Sequence, residues 1–340
     1  MLDDLQRIHE RDAQDALGIA AKPWLQLSLD FPAPGNVRPV DNVVVSGMGG
    51  SAQSAYVAQS WPGLVVPFIL SRDYDIPSFV GEKTLFIASS YSGNTEETVS
   101  ALEKAENTGA AIVVVTTGGR LREVAAAKGY PVLQLPEGYR PRFAMLAALK
   151  ALTVIFDAYG LTQGAAAELA AQDGWLQGEI AQWTAAVPTK DNWAKQIALE
   201  CMGKSVVIYS GLKLAPAAYA WKTSFNENAK QIAWWNTYSE FDHNEFMGWT
   251  EQPDQKPYAV IDIRSNFEHP QVQKRFEASA RLLSGRRPEP IVIPPRGETL
   301  LQQLLSTIVL GEFVTIYTAL LANINPTPID LIERLKNELG

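Results

Sequence analysis

Two turns in the first half of the chain are rich in glycines and hydroxyls. The first, Ser46-Gly-Met-Gly-Gly-Ser-Ala52, follows the short apolar run Val43–Val45. Glycines at the end of a strand permit a tight turn and close backbone approach to a ligand. The helix that follows offers N–H groups to an anion. Gly47-Met-Gly49-Gly50-Ser51-Ala52 also fits the dinucleotide pattern G-x-G-x-x-A, which an ordinary strand-to-helix turn matches almost as readily. The second turn is Ser89-Ser-Tyr-Ser-Gly-Asn-Thr-Glu-Glu97, where Ser90, Ser92 and Thr95 set three hydroxyls around Gly93. A helix cap needs one such residue, Asn94 or Thr95. Four in the six positions 90–95 is an excess, and it points to a neutral phosphate cradle of hydroxyls, backbone donors and a helix dipole. No G-K-[ST] string marks a nucleotide P-loop.

Three further strings carry charge. In Tyr139-Arg-Pro-Arg-Phe-Ala144, a Pro-Arg at a helix start puts Arg142 near the rim of a sheet, facing an anion or a developing oxyanion, with Arg140 as its competitor. Phe225-Asn-Glu-Asn-Ala-Lys230 ends a helix. In Glu240-Phe-Asp-His-Asn-Glu-Phe-Met-Gly-Trp249, His243 is flanked by Asp242, Asn244 and Glu245 among aromatics. A helical Glu is normally solvated and a His normally structural. Glu227 and His243 still supply a carboxylate base and an imidazole, the groups that move protons on a carbonyl compound.

The elements that must position these residues alternate. Apolar, β-branched runs at 43–45, 65–70, 85–89, 112–116 and 132–135 are separated by helical patterns at 52–60, 95–107 and 121–128, with a long helix over 143–158. Near-continuous apolar strands between helices predict a parallel sheet covered on both faces, an α/β fold. The second half repeats this less regularly. Helices are expected at 165–185, 193–201, 215–226, 272–283, 300–321 and 329–339, and strands at 206–209, 232–235, 258–263 and 290–293. A linker near Gly160–Gln163 divides lobes 1–160 and 161–340. Val43-Val-Val-Ser-Gly47…Tyr56 echoes Val207-Ile-Tyr-Ser-Gly211…Tyr219, which favours two related lobes over a chance likeness between strand–turn–helix units. The second copy has Leu212-Lys-Leu214 where the first has Met48-Gly-Gly50, so only the first lobe is expected to bind phosphate.

Composition narrows the class. A chain of 340 residues, 46% hydrophobic and 19% charged, is globular and too long for one ordinary core. The formal net charge of −8, with no basic cluster, argues against a nucleic-acid partner. Three histidines are too few for a multi-histidine metal cluster, so no metal is expected. The lone cysteine, Cys201, fits a reducing cytoplasm and reads as a buried small residue, while His9 and His269 read as surface residues. Met1–Ala21 lacks the pattern of an export signal. Phe143–Tyr159 and Leu300–Ile324 carry polar or charged residues and read as buried helices, so a soluble, cytoplasmic protein is expected.

The two turns together resemble the sugar isomerase (SIS) domain, most specifically in the S-x-S-G-N-T-E-E string. With the P-R, N-E-N-x-K and H-N-E strings, and the tail Asn325-Pro-Thr-Pro-Ile-Asp330 followed by Ile332-Glu-Arg-Leu-Lys336, the chain resembles the bifunctional phosphoglucose/phosphomannose isomerase family in order from Val43 to Lys336. The resemblance implies two SIS-type doubly wound lobes, each a mainly parallel sheet flanked by helices. It also implies reversible isomerisation of glucose 6-phosphate or mannose 6-phosphate to fructose 6-phosphate through a cis-enediol(ate), with no cofactor. On the matching positions, Ser90, Ser92 and Thr95 grip the phosphate, and Gly49, Gly50 and Ser51 contact the sugar. His243 and Lys336 open the ring, Glu227 moves the proton between C2 and C1, Arg142 faces the developing oxyanion, and Thr327 helps give the room that both epimers need. The family's ring-opening histidine comes from the neighbouring subunit, which implies a homodimer. Trp234, Trp235 and Trp249, near that motif, suit an interface or a lobe core equally. Phe143 stands where a small residue is expected, with consequences for sugar fit, and Asn325 where Asp is usual.

Two rivals remain at this point. A nicotinamide oxidoreductase rests on G-x-G-x-x-A, but the second strand ends Leu70-Ser71-Arg72, with no acidic residue for a ribose before Asp73. A non-catalytic sugar-phosphate sensor needs the cradle but not Glu227, His243 or Lys336.

Overall fold

A computed structural model describes residues 1–251 and 257–339. The chain forms two compact units, Pro23–Trp175 and Met1–Lys22 with Leu176–Gly340. Helices α1 (Leu5–Arg11) and α2 (Ala16–Ala20) precede the first unit. That unit runs β1 (Asn42–Ser46), α3 (Gly49–Ser60), β2 (Phe68–Ser71), β3 (Thr84–Ser89), α4 (Glu96–Ala105), β4 (Ala111–Thr116), α5 (Gly119–Lys128), β5 (Val132–Gln134), α6 (Met145–Ala158) and α7 (Ala165–Ala170).

Its strands pair in parallel in the order β2-β1-β3-β4-β5. Every residue of β3 and β4 is buried, as apolar strands covered on both faces must be. The order reverses between β1 and β3, and the register pairs Ser46 with Ala88. Both hydroxyl-rich turns therefore leave neighbouring strand ends at the topological switch point, where doubly wound sheets bind ligands.

The second unit continues with α8 (Asp173–Ile180), α9 (Trp193–Cys201), β6 (Ser205–Ser210), α10 (Ala215–Glu227), β7 (Ala233–Thr237), α11 (Glu240–His243), α12 (Glu245–Gly248), β8 (Tyr258–Ile263), α13 (Pro270–Leu282), β9 (Ile291–Ile293), α14 (Leu300–Leu321) and α15 (Asp330–Leu339). Its strands are parallel in the order β7-β6-β8-β9. In each sheet the first strand lies between the next two, so the echo between Val43–Tyr56 and Val207–Tyr219 is a structural repeat.

The division falls later than the 160/161 boundary read from the sequence. Asp157 at the end of α6 accepts from Thr162 Oγ1 at 2.7 Å, Ala165 N at 3.0 Å and Ala166 N at 2.9 Å, which ties residues 160–163 and α7 to the first unit as a braced turn. Residues 1–22 belong to the other unit. Arg11 Nη1 donates to Leu320 O at 2.9 Å, and Lys195, fully buried, donates to Leu2 O at 2.7 Å. The helix expected over 165–185 is broken into α7, α8 and a 3-10 turn at Ala181–Trp183.

Helix α14 has the length and apolarity of a membrane span, but it is almost wholly buried against α9 and α10. Gly311 gives Trp221 of α10 its space, since a Cβ there would lie 2.4 Å from the indole. Trp221 Nε1 donates to Thr307 O at 2.6 Å.

Candidate functional site

The turn after β3 is built to leave a helix end open. Thr95 occupies the N-cap position of α4 but makes no capping hydrogen bond, because its hydroxyl pairs with Ser90 Oγ at 2.7 Å. Asn94, the other cap candidate, turns its Oδ1 to the N–H of Arg120 at 2.9 Å and so braces the turn after β4. Ser92 is exposed, and its Oγ accepts from Asn94 N at 3.3 Å. Glu96 and Glu97 lie in the first turn of α4, where carboxylates answer the helix dipole. Gly93 is indispensable here: it has φ +72°, and a Cβ on it would meet Gly118 O at 1.8 Å.

The turn after β1 has the same open character. Met48 at the N-cap of α3 makes no side-chain capping bond. Gly49 is exposed with φ +51°, Gly50 is buried, and Ser51 is 6% exposed. Gly50 is where the Pro-Arg string arrives. A Cβ on Gly50 would lie 2.5 Å from Pro141 O and 3.3 Å from Arg142 Cα. Between the two candidate arginines, Arg142 is buried and Arg140 only half-buried. The Arg142 guanidinium lies 4.6 Å from the centre of the Phe143 ring. Phe143 is itself buried, so its ring faces the arginine rather than solvent.

In the second unit, Glu227 closes α10 half-buried, on the wall of a cavity of about 750 Å³ that Lys222, Asn226, Lys230, Trp234, Pro328 and Asp330 also line. Lys230 joins two of the sequence strings. Its ammonium donates to Glu227 O and, at 3.0 Å, to Pro326 O, linking the end of α10 to the Asn325-Pro-Thr-Pro segment. Thr327 is buried, with its N–H held by Asn325 Oδ1 at 3.0 Å. Asn325 thus supplies the acceptor that the usual Asp would.

His243 and Lys336 stand apart from this cavity. His243 is exposed on α11, between two braced carboxylates, Asp242 on α11 and Glu245 at the start of α12. Asp242 takes Arg275 Nη1 at 2.8 Å and Ser279 Oγ at 3.2 Å. Glu245 takes Asn236 Nδ2 at 2.7 Å and the hydroxyl of Tyr209. Burial, reinforced by Glu245, drives the Tyr209 hydroxyl far above its ordinary range, so it stays a donor at every physiological pH. Lys336 is exposed on α15. The three tryptophans divide: Trp249 is buried against Tyr258, Trp235 packs edge-on to Tyr219, and Trp234 is 51% exposed.

The turn after β6 is closed, in contrast to its counterpart after β1. Glu268, 6% exposed, accepts from Lys213 N at 2.7 Å, with the Leu212 and Leu214 amides also bonded to it. Cys201 is buried, which pushes its thiol up to about 12 and makes it a core residue. His269 caps α13, its Nδ1 accepting from Gln271 N at 3.1 Å. Among the described residues no group of three or more His, Cys, Asp or Glu side chains is placed to hold a metal ion. The pattern of residue types did not single out Lys230, Glu245 or Glu268 for these tasks. The one local signal was that Lys230 and Glu245 sit inside strings already marked by Glu227 and His243.

Comparison with known proteins agrees with this architecture. The family model described as the bacterial phospho-glucose isomerase C-terminal SIS domain matches residues 190–339. A bifunctional phosphoglucose/phosphomannose isomerase from Caldicellulosiruptor bescii is 34% identical over 307 residues, covering 88% of this chain and 90% of the relative. A D-glucosamine-6-phosphate 4-epimerase from Sulfolobus acidocaldarius is 29% identical, covering 91% and 92%. Among solved structures, a glucose-6-phosphate isomerase like protein from Thermus thermophilus superposes with a TM-score of 0.68 at 19% identity, covering 99% of this chain and 98% of the other, a likeness of fold. From its sequence identity and coverage, the chain belongs to the bifunctional phosphoglucose/phosphomannose isomerase family.

Proposed function

We propose that this protein is an aldose–ketose isomerase that interconverts glucose 6-phosphate and mannose 6-phosphate with fructose 6-phosphate and uses neither metal nor redox cofactor. The observation that carries the reading is Glu227, a half-buried carboxylate on a cavity wall, in a chain whose other unit opens two uncapped helix starts at a switch point. The roles follow from chemistry. Ser90, Ser92 and Thr95 hold the phosphate, and Gly49, Gly50 and Ser51 meet the sugar, so that binding energy from the remote phosphate orients the reacting carbons. Ring opening moves the proton of the anomeric hydroxyl to the ring oxygen as the C1–O5 bond breaks, the task of His243 and Lys336. Glu227 then takes the proton from C2, and the electron pair becomes the C1–C2 double bond of the enediol(ate). The oxygen that gains negative charge is met by Arg142. Return of the proton to C1, as the O2 proton passes to O1 and C2–O2 becomes the carbonyl, gives the ketose. In this reading Thr327 helps give the room that both epimers need.

The working unit in this reading is a homodimer in which His243 acts on the neighbouring copy. Its exposure on α11, away from the cavity that Glu227 lines, supports this. The buried thiol of Cys201 suits a cytoplasmic setting.

The test is turnover of glucose 6-phosphate and mannose 6-phosphate in parallel, with a chelator present and no nicotinamide in the isomerisation step. Product from both sugars is expected, and Glu227→Gln should lower kcat by about a hundredfold or more while sugar-phosphate binding persists. Binding without product from either sugar would favour a sensor. Glucosamine 6-phosphate belongs in the same assay, because one relative is named for an epimerase of that sugar.

A further inference from the structure

The segment that carries Arg142 does not enter its helix smoothly. Residues Pro141–Ala144 form a 3-10 turn, Ala144 has φ −98° and ψ 10°, and the α-helix α6 begins only at Met145. In a continuous α-helix the N–H of Ala147 would donate to the carbonyl of Phe143, four residues back. The side-chain amide of Gln26 is inserted between these two groups. Its Nε2 donates to Phe143 O at 2.7 Å, and its Oε1 accepts from Ala147 N at 2.9 Å. Gln26 is 2% exposed, comes from the 3-10 turn Pro23–Gln26, and uses both ends of its amide on this one peptide step.

A side chain placed inside the i→i−4 ladder is a recognised cause of a helix break. The break has a geometric consequence at Arg142. A 3-10 turn advances about 120° per residue and an α-helix about 100°, so rewinding residues 141–144 would rotate Arg142 by tens of degrees. The turn has little freedom to absorb this, since Pro141 O and Arg142 Cα lie only 2.5 and 3.3 Å from where a Cβ on Gly50 would be.

We propose that Gln26 is a positioning residue for Arg142. Its amide holds the first turn open and keeps the Pro141–Arg142 peptide against Gly50. The inference rests on the reading of Arg142 as the cation that meets the developing oxyanion. A cap for the helix would need only the acceptor at Ala147. The donor to Phe143 is what makes the insertion two-sided.

The experiment compares Gln26→Met, which keeps length and removes both bonding groups, with Arg142→Lys and the double variant, all in the full chain. In Gln26→Met, kcat should fall at least tenfold, with KM for glucose 6-phosphate within about threefold because the Ser90–Thr95 cradle is untouched. In the Arg142→Lys background the same change should cost nothing further. In ¹⁵N-labelled protein, the Arg142 Nε–Hε signal should move in Gln26→Met. A second variant, Gln26→Glu, keeps the acceptor for Ala147 and, when ionised, loses the donor to Phe143. It should fall between wild type and Gln26→Met, and it carries the test if Gln26→Met does not fold. A kcat loss equally large in both backgrounds, an unmoved Arg142 signal, or full kcat in Gln26→Glu with its carboxylate ionised would each overturn the inference. Full activity in Arg142→Lys and Arg142→Ala would instead overturn the reading of Arg142, while the Arg142 signal would still report whether Gln26 holds that side chain.

Discussion

The carboxylate of Glu268 accepts the backbone N–H of Lys213 at 2.7 Å and fills the turn after β6, the counterpart of the Gly47–Ser51 turn after β1. Gly211 is the glycine that makes this possible, because a Cβ there would lie 2.1 Å from the Glu268 carboxyl carbon. Helix starts attract anions, and here the chain supplies its own. Glu268 leaves the loop after β8 and crosses the switch point of the second sheet, while the corresponding region of the first sheet ends in two helices without side-chain caps. The two repeats thus use one architecture in two ways: one helix start carries no side-chain cap, and the other is closed from within.

The pH dependence of stability tests that closure. Burial pushes the Glu268 carboxyl up, against the amides of Lys213, Leu214 and Leu212 that pull it down. A carboxyl with a native pKa above its unfolded value holds more protons in the native state across the window between the two. Its contribution to stability is therefore fullest below the unfolded value and is lost as pH rises through the native one. Asp12 and Asp262 are also raised by burial, so the useful quantity is the difference between wild type and Glu268→Gln, in which their effects cancel. Urea unfolding from pH 4 to pH 7 should show that difference shifting in favour of Glu268→Gln as pH rises. A shift the other way would mean that the amide donors outweigh burial.

The interlocked turns after β3 and β4 separate folding from binding. Gly93→Ala places a Cβ against Gly118 O at a φ of +72°, and the opposing group is backbone that cannot rotate away. A loss of about 2 kcal/mol or more is expected on urea unfolding. Ser92→Ala touches an exposed hydroxyl and should change stability by less than about 0.5 kcal/mol. It should nevertheless raise KM for the sugar phosphate severalfold through the lost phosphate contact. An unchanged KM would remove Ser92 from the cradle.

Lys230 offers a third test, because its backbone and its ammonium can be separated. The residue has φ +55°, which glycine adopts without strain, so Lys230→Gly should leave the chain path intact while deleting the bonds to Glu227 O and Pro326 O. Faster limited proteolysis near Asn325–Pro328 and a kcat lowered about tenfold are the expected results. Wild-type behaviour in both would show that the cavity wall keeps its shape without the lysine.

Much of the first unit was legible because its strands are unbroken apolar runs and its turns concentrate glycine and hydroxyls. Those signals are local, so β1 to β5 and the helices between them fall close to where the pattern put them. The start of the long helix was not legible. The run from Phe143 looks continuous, and the 3-10 turn there is coupled to Gln26, 117 residues away in sequence from Phe143. The lobe boundary was missed for a similar reason. Gly160–Gln163 has the composition of a linker, and only the bonds of Asp157 to Thr162, Ala165 and Ala166 show it to be a packed turn.

The sequence by itself determined the order of strands and helices, the likeness of the two repeats, and which side chains have the chemistry to hold a phosphate or move a proton. Each of these depends on residue type and near-neighbour spacing. Tertiary structure alone decided which helix start is stopped by Glu268, which of Arg140 and Arg142 is buried against Gly50, and that Lys230 joins Glu227 to the Pro326 segment. These are single hydrogen bonds and close contacts between residues far apart in the chain, and no periodicity announces them. Their partners become known only when strand register and helix packing have brought the backbone groups together.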